Sequence, residues 1–156
     1  MTGEQIHNGA TPADTEVTMT QLVLPTDTNT LGNLLGGRLL YWVDIVAALA
    51  ATRLVRKHVA TVSLESMDFR LPVGKGDMVM LTARVIWTGR TSLKVRVVVT
   101  AENMFTGVVV HTNTALLTFV AMDEGGRPCQ VSQIRPATEE DITYYNEAQA
   151  KYEKSK

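Results

Sequence analysis

One apolar segment, residues 39–54, constrains this 156-residue chain more than any other feature. Its apolar residues recur at helical spacing, and further apolar residues fill the opposite side, so the predicted helix is apolar nearly all round. Such a helix has to be enclosed by other parts of the protein. A single carboxylate, Asp44, lies inside the segment. Ionised carboxylates are almost never buried without a partner or a task, so Asp44 needs an explanation.

Five strand-like segments accompany this helix. One precedes it, at 17–25, and four follow at about 59–71, 78–87, 92–101 and 108–122 with no helix between them. Apolar and polar residues alternate along the middle strands, which places one face of each in the core. The breaks PVGKGD, TGRT and NMFTG are short enough for hairpins, so the sequence predicts an antiparallel meander. An α+β fold, with one curved sheet wrapped around one helix, is the simplest way to hide that helix.

The two ends of the chain differ from this domain, which we assign to residues 17–136. Residues 1–16 are polar and aperiodic, and we expect a disordered leader there. In the tail, 137–156, Thr138 and Asp141 have the spacing of a capping box. The tail is therefore predicted to form a polar surface helix.

Composition narrows the classes of function. The net charge is -1 and the basic residues are scattered, so no nucleic-acid-binding surface is predicted. Cys129 is the only cysteine, which excludes an internal disulfide and a multi-cysteine zinc site, and the three histidines lack metal-ligand spacing. The chain begins without a signal-peptide pattern, and its apolar run is too short to span a bilayer. We expect a cytoplasmic protein with no membrane insertion.

Four motifs, in this order, resemble those of the hotdog-fold acyl-coenzyme A (acyl-CoA) thioester hydrolases of the cytosolic type. They are DTNTLGNLLGG, WVDIVAALAA, VSLESMDFRLPVGKGD and GRTSLKVRV, and the resemblance covers roughly residues 17–136. It implies a hotdog fold, in which one curved antiparallel sheet wraps around a long central helix. It also implies hydrolysis of acyl-CoA to a free acid and CoA, without a metal or a redox cofactor.

The junction between the glycine-rich loop and the helix offers one part of the chemistry. Thioester hydrolysis needs donors that stabilise an oxyanion and a group that activates or becomes the nucleophile. Gly36 and Gly37 have no side chains to block a close approach, and free N–H groups at a helix start point at any carbonyl placed there. We predict the amide of Gly37, with Gly36 beside it, as the oxyanion donors, as the resemblance also implies. Alternatively, the two glycines only serve the conformation of the turn.

Asp44 offers the other part, on one condition. It lies seven residues beyond Gly37, roughly 10 Å down the same helix at about 1.5 Å per residue, which is too far to act on a carbonyl at that helix's own start. If two subunits pack their helices antiparallel, Asp44 of one faces Gly36, Gly37 and Asn33 of the other. The expected minimal active unit is thus a homodimer. The resemblance implies the same composite site and a trimer of dimers.

The roles of Asp44 and Asn33 stay open at this point. Asp44 would act as a general base toward water or as the direct nucleophile, and Asn33 would hydrogen-bond the attacking water or the substrate. The alternative for Asp44 is a buried acid satisfied by a local hydrogen bond. The alternative for Asn33 is a turn cap.

A second ligand-binding feature is the motif TGRTSLK. Its turn offers backbone amides and polar side chains for the phosphates of CoA, as the resemblance also implies. The residues assigned to this role are Gly89, Arg90, Thr91 and Ser92. Arg56 and Lys57, at the helix end, and Lys94 could reach the 3′-phosphate. The acyl chain would lie in an apolar tunnel between subunits, lined partly by the strand near Ser66 and Met67. Taken alone, TGRTS is also an ordinary hairpin.

Two other functions compete with the hydrolase. A hotdog module could bind acyl-CoA without cutting it, although the sequence shows no attached output domain. An enoyl-CoA hydratase of the same fold would require an Asp and His pair near the helix start. No histidine follows the loop until His58.

Overall fold

A computed structural model, which describes residues 9–65, 67 and 72–155, has a five-stranded antiparallel sheet packed against a 20-residue helix. The strands and helices in chain order are β1 Val17–Leu22, α1 Gly36–Val55, β2 His58–Glu65, β3 Met78–Thr88, β4 Ser92–Glu102, β5 Val109–Met122 and α2 Glu139–Lys154. The predicted α+β class is confirmed.

The strand order across the sheet is β1-β3-β4-β5-β2, and all neighbours are antiparallel. Strands β3, β4 and β5 form the predicted meander. The predicted hairpin at PVGKGD is wrong, because β2 pairs with β5 and not with β3. A strand has only two neighbours in a sheet, and β1 and β4 occupy both sides of β3. The chain therefore crosses the sheet between β2, which is an edge strand, and β3, which lies next to the opposite edge strand β1.

The core lies between α1 and the inner face of the sheet. Alternate residues of the three central strands are buried there, as the sequence pattern predicts: Val79, Leu81, Ala83, Val85, Leu93, Val95, Val97, Val99, Ala115, Leu117, Phe119 and Ala121. The buried side of α1 packs on them with Leu39, Val43, Val46, Ala47, Ala50 and Leu54. Full burial of a Val or Leu side chain contributes about 1.5–3 kcal/mol, so this layer dominates the stability of the fold.

The prediction that α1 is enclosed on all sides is wrong for the single chain. Asp44 is exposed, and so are Tyr41, at 58%, and Leu49, at 50%, on the same side of the helix. The neighbouring edge strand β2 exposes Val62 and Leu64. The reason is geometric, since one five-stranded sheet covers only one side of a helix. We call this exposed surface, consisting of Tyr41, Asp44, Leu49, Val62 and Leu64, the α1–β2 face.

The C-terminal helix α2 packs on the opposite face of the sheet. A β-bulge between Val85 and Trp87 turns the Trp87 side chain to that face. Its indole Nε1 donates a hydrogen bond to Gln149 Oε1 at 2.8 Å, and α2 begins with the predicted capping box of Thr138 and Asp141. The predicted surface helix therefore exists over residues 139–154, anchored by an aromatic side chain of β3.

Residues 9–16 differ from the expected disordered leader. Pro12–Thr15 forms a 3-10 turn, with Thr11 and Asp14 as its capping box. The buried Thr15 hydroxyl accepts a hydrogen bond from the amide of Val85 at 2.9 Å. Polar composition suggested disorder, but these polar groups cap a turn and pair with the sheet. Residues 1–8 lie outside the described part of the chain.

Among the helices of the described residues, none combines the length and apolar character needed to cross a lipid bilayer.

Candidate active site

Asp44 lies in the middle of the α1–β2 face, next to Thr61 of β2. The Thr61 hydroxyl donates a hydrogen bond to Asp44 Oδ1 at 2.7 Å. No described residue donates a hydrogen bond to the other carboxylate oxygen, Oδ2. The carboxylate is thus oriented by a local hydrogen bond, but it is an exposed group and not a buried acid.

The sequence pattern did not single out Thr61. It lies beside the inward-facing Phe119 in the β2–β5 register, and a β-bulge at Val62 follows directly. Bulges at sheet edges often re-aim side chains near functional sites. The sequence pattern of β5 contained one usable signal, because Phe119 lies on the same buried face of the strand as Leu117 and Ala121. To identify Thr61 from that signal, one would also need to know that β2 pairs with β5, and this pairing is not visible in the sequence.

At the start of α1, two backbone donors have no acceptor among the described residues. Leu35 is the N-cap and makes no side-chain hydrogen bond, and the first turn of α1 contains no acidic residue. The amides of Arg38 and Leu39 donate to the Leu35 carbonyl, both at 3.1 Å. No described residue accepts a hydrogen bond from the amides of Gly36 or Gly37. They lie at the positive end of the helix dipole, where a developing oxyanion is stabilised.

The space in front of Gly37 is open. A Cβ added there would have no atom within 4 Å, and its φ angle is not positive. Neither crowding within the chain nor backbone strain therefore requires a glycine at this position. The glycine does leave room for a group that approaches from outside.

The loop before α1 is organised by Asn29. Its Oδ1 accepts hydrogen bonds from the amides of Leu31 at 2.9 Å and Asn33 at 3.1 Å. The Asn33 carbonyl accepts a hydrogen bond from the Asn29 amide, and Asn33 forms a β-bridge with Gly74. The turn-cap role considered for Asn33 thus belongs to the side chain of Asn29, which sequence reasoning missed.

An ion pair joins this loop to the helix. Asp27 Oδ1 lies 3.2 Å from Arg38 Nε, and Asp27 is almost fully buried. Asp27 also accepts hydrogen bonds from the amide of Leu24, through Oδ2, and from the amide of Leu35, through its carbonyl. A cation in the first turn of a helix is unfavourable to the dipole, so the Asp27 carboxylate offsets that charge. The pair fixes the loop that follows β1 to the first turn of α1.

We expect Arg38→Met to destabilise the protein more than Arg84→Met does. Arg84 forms a pair with Glu16 and has a side chain of similar exposure, 44% against 41% for Arg38, but its carboxylate partner is more exposed than Asp27. Loss of the Arg38 pair should cost about 1 kcal/mol and lower Tm by roughly 2–4 °C, and the control should change little. Calorimetry of both variants is the measurement. Equal Tm values would show that Asp27 and Arg38 form no more than a surface pair.

The turn between β3 and β4 is a tight hairpin. The amide of Gly89 donates to the Ser92 carbonyl at 2.8 Å, so it is not available to a phosphate. A Cβ on Gly89 would lie 2.8 Å from Trp87 Cη2, which gives this glycine a packing reason. Arg90 is exposed, and Thr91 and Ser92 are half-buried. The backbone therefore forms the hairpin given as the alternative, and Arg90 is the one exposed residue of the four predicted phosphate ligands.

Arg56 and Lys57 follow α1 and line a cleft of about 520 Å³. The cleft is completed by Thr52, His58, Met122, Asp123 and Glu124. Thr52 lies two helical turns beyond Asp44, so the cleft adjoins the α1–β2 face. The two acidic residues balance the charges of Arg56 and Lys57.

Three residues that the sequence predicts to contact the ligand remain: Lys94, Ser66 and Met67. Lys94 cannot serve the 3′-phosphate, because it is buried beneath α2, with its Nζ 3.1 Å from Glu65 Oε1. Strand alternation points it to the face away from α1. Met67 is half-buried and packs against the core, and Ser66 lies outside the described residues.

The predicted groups occupy opposite ends of one chain. The Thr91 carbonyl accepts a hydrogen bond from Ala121, next to the cleft with Arg56. Gly36 begins α1 at the other end of the sheet, where Leu34 bonds to Val73. A helix of 20 residues is about 30 Å long at 1.5 Å per residue. One chain alone therefore does not bring the predicted phosphate ligands, Asp44 and the Gly36 and Gly37 amides together.

Within the described residues, no group of three or more His, Cys, Asp or Glu side chains is arranged to hold a metal ion.

Comparison with known proteins identifies the family. A profile described as Thioesterase superfamily matches residues 31–108. An uncharacterized acyl-CoA thioester hydrolase of Bacillus subtilis, YkhA, is 39% identical over 135 residues, which cover 86% of this chain and 78% of the relative. The fold is similar to that of an apo-hexameric acyl-CoA thioesterase, with a TM-score of 0.89, 39% identity and 94% of each chain covered.

A further solved relative is an acyl-CoA hydrolase from Staphylococcus aureus, in complex with butyryl-CoA, CoA and CoA disulfide. Its TM-score is 0.85, its identity 28%, and the match covers 93% of this chain and 88% of that one. Structures of that enzyme with an asparagine, an aspartate or a threonine replaced by alanine are similar to this chain as well. The family expected from the sequence motifs is confirmed: this chain belongs to the thioesterase superfamily and has its hotdog fold.

Proposed function

We propose that this protein hydrolyses acyl-CoA thioesters to a carboxylic acid and CoA, at sites formed between two subunits. The observation that carries the proposal is the oriented, exposed carboxylate of Asp44 on an apolar face. At the start of the same helix lie the amides of Gly36 and Gly37, which have no acceptor among the described residues. The names of the relatives support acyl-CoA as the substrate.

The α1–β2 face supports the homodimer. It exposes several large apolar side chains, which a soluble protein normally covers with a partner. Antiparallel packing of two copies across this face brings Asp44 of one subunit toward the Gly36 and Gly37 amides of the other. It also brings the turn with Arg90 of one subunit toward the helix start of its partner. Groups that are separated in one chain thus converge in the pair.

The reaction follows from these positions. The thioester oxygen accepts hydrogen bonds from the amides of Gly37 and Gly36, which stabilise the negative charge that develops on it. Asp44 of the partner subunit either removes a proton from the attacking water or attacks the carbonyl carbon itself. The C–S bond then breaks, and CoA leaves as the thiolate, which takes up a proton. When water is the nucleophile, the acyl group leaves directly as the acid. When Asp44 is the nucleophile, the acyl group first forms a mixed anhydride with the carboxylate, and a water molecule then hydrolyses that anhydride to the acid and free Asp44. Hydrolysis changes no oxidation state, so the reaction requires no redox cofactor, and the roles proposed for Asp44 and the two amides do not include a metal.

The spacing in a relative supports adding Thr61 and Asn29 to this site. In the S. aureus hydrolase, the replaced asparagine lies 15 residues before the replaced aspartate, and the replaced threonine lies 17 residues after it. Here Asn29 and Thr61 have the same spacing from Asp44. We propose that Asn29 shapes the loop and that Asn33, in the same loop, hydrogen-bonds the attacking water or the substrate.

The CoA moiety would be held at the other end of α1. We propose that Arg90, with the backbone of Thr91 and Ser92, binds its phosphates, and that Arg56 and Lys57 meet the 3′-phosphate in the neighbouring cleft. The acyl chain would lie between subunits, close to Met67. A trimer of dimers completes the assembly, supported by the hexameric relative. A cytoplasmic location belongs to this proposal, since a lone cysteine suits a reducing compartment.

The test of this function is the release of free thiol from acyl-CoA substrates of increasing chain length. We expect turnover with at least one chain length, and no hydration when an enoyl-CoA is supplied. Binding of acyl-CoA without thiol release at any chain length would favour the non-catalytic module. Hydration of the enoyl-CoA would favour the hydratase.

We expect Thr61→Val to lower kcat on the order of 10-fold, because a hydrogen bond to a charged group contributes about 1.5–3 kcal/mol and Asp44 loses its orientation. Thr61→Ser keeps the hydroxyl and should stay close to the wild-type rate. Steady-state kinetics of the two variants provide the measurement. Equal losses in both would indicate that Thr61 acts through packing and not through its hydroxyl.

A further inference from the structure

The hairpin between β4 and β5 carries an apolar patch that the proposed catalytic site does not use. Phe105 is 98% exposed, and Met104, Val108 and Val109 each expose half or more of their surface. No charged residue occurs between Glu102 and His111. We call Met104, Phe105, Val108 and Val109 the tip patch. A contiguous, uncharged apolar patch of this kind is typical of an interaction site.

The backbone of this hairpin tip is fully organised. Asn103 Oδ1 accepts hydrogen bonds from the amides of Phe105 at 2.9 Å and Thr106 at 3.0 Å. The amide of Gly107 donates to the Asn103 carbonyl, and the amide of Val108 donates to the Thr106 hydroxyl. Every amide from 105 to 108 is thus satisfied within the tip. A loop whose backbone is preorganised loses little backbone entropy on binding, so the tip presents Phe105 at a fixed backbone position.

The tip patch is separate from the α1–β2 face. Val109 lies seven residues along β5 from Leu116, the partner of Glu65 at the end of β2, roughly 23 Å at about 3.3 Å per residue. Through the strand register, Val109 lies at the same end of the sheet as Leu22, whose side chain is also exposed. A subunit pair that buries the α1–β2 face still has two tip patches to cover.

We infer that the tip patch is the contact by which one dimer of this protein binds another. This rests on the trimer of dimers of the proposed function and assigns a surface to it. A hexamer of two-fold pairs needs a second, different interface on each subunit, and the tip patch has the exposure, rigidity and lack of charge that such an interface requires. The match to the hexameric relative covers 94% of this chain at 39% identity. For this reason we select a second copy of this chain as the partner that covers the tip patch.

Sedimentation velocity of Phe105→Asp tests this inference. We expect the wild type to sediment as a hexamer and the variant as a dimer, because loss of a central aromatic anchor weakens an interface roughly 30-fold or more. Ile142→Asp is the matched control, since Ile142 is another exposed apolar residue, located on α2. It should remain hexameric. Circular dichroism of Phe105→Asp and of a second variant, Phe105→Gln, is compared with that of the wild type. Unchanged spectra show that a loss of hexamer is dissociation and not misfolding.

Three results would overturn the inference: a wild type that is already a dimer, a Phe105→Asp variant that stays hexameric, or a variant that falls to monomers. A variant that stays hexameric but no longer binds phosphatidylcholine vesicles would assign the patch to lipid. Thiol release on the same samples tests the hydrolase separately. If the wild type is a hexamer that releases no thiol, and Phe105→Asp dissociates it, the result supports the tip contact and counts against the proposed reaction.

Discussion

Replacing Asp44 with alanine should reduce turnover of acyl-CoA by on the order of 100- to 10,000-fold. In the proposed reaction this carboxylate either activates water or attacks the thioester, and the structure gives it a hydrogen bond from Thr61 and an exposed position on α1. Because the side chain is exposed in the single chain, its loss should leave the fold intact. The measurement is kcat from thiol release, together with circular dichroism of the variant.

The controls for Asp44→Ala separate chemistry from binding and charge. Glu147→Ala removes another exposed acid, on α2 and away from the α1–β2 face, and should keep the wild-type rate. Asp44→Asn keeps the volume and removes the charge, so it should be nearly as slow as Asp44→Ala. Calorimetric titration with CoA should give a similar affinity in all of these proteins. Near-normal turnover of Asp44→Ala would contradict the assigned reaction.

Much of the fold could be predicted from the sequence because local periodicity encodes it. The alternation along β3 and β4 identified the inward residues, and the capping box of Thr138 and Asp141 located the start of α2. These are short-range patterns, and each residue contributes to them independently. Gly36 and Gly37 indicated the helix start in the same way, and α1 does begin at Gly36. Their role as oxyanion donors stays a prediction.

The features that the sequence did not reveal depend on contacts between distant residues. The pairing of β2 with β5 is decided by which edges remain free once β1 covers β3, and no local pattern reports it. Thr61 becomes visible only when that pairing places it opposite Asp44. The exposure of Tyr41 was also hidden, because an exposed aromatic residue within an apolar segment cannot be told from a core residue by its sequence pattern.

Replacing Gly37 with proline should lower turnover by about 100- to 1,000-fold, because proline deletes a predicted oxyanion donor. The first turn of a helix tolerates proline, and the bonds from Arg38 and Leu39 to the Leu35 carbonyl do not involve this amide. Gly36 has no Cβ to clash with the proline ring. Gly37→Ala is the matched control, since it keeps the amide and its Cβ meets no atom within 4 Å.

Mixing Gly37→Pro subunits with Asp44→Ala subunits should then restore activity that neither variant has alone. In a composite site, the mixed pair unites an intact Asp44 from one subunit with an intact Gly37 amide from the other. Random pairing leaves about one quarter of all sites intact, so turnover should rise to roughly one quarter of the wild-type value. Co-refolding of equal amounts, followed by a thiol-release assay, provides the measurement. If the mixture stays as inactive as its components, while both fold and pair, Asp44 acts on the helix start of its own chain or on neither.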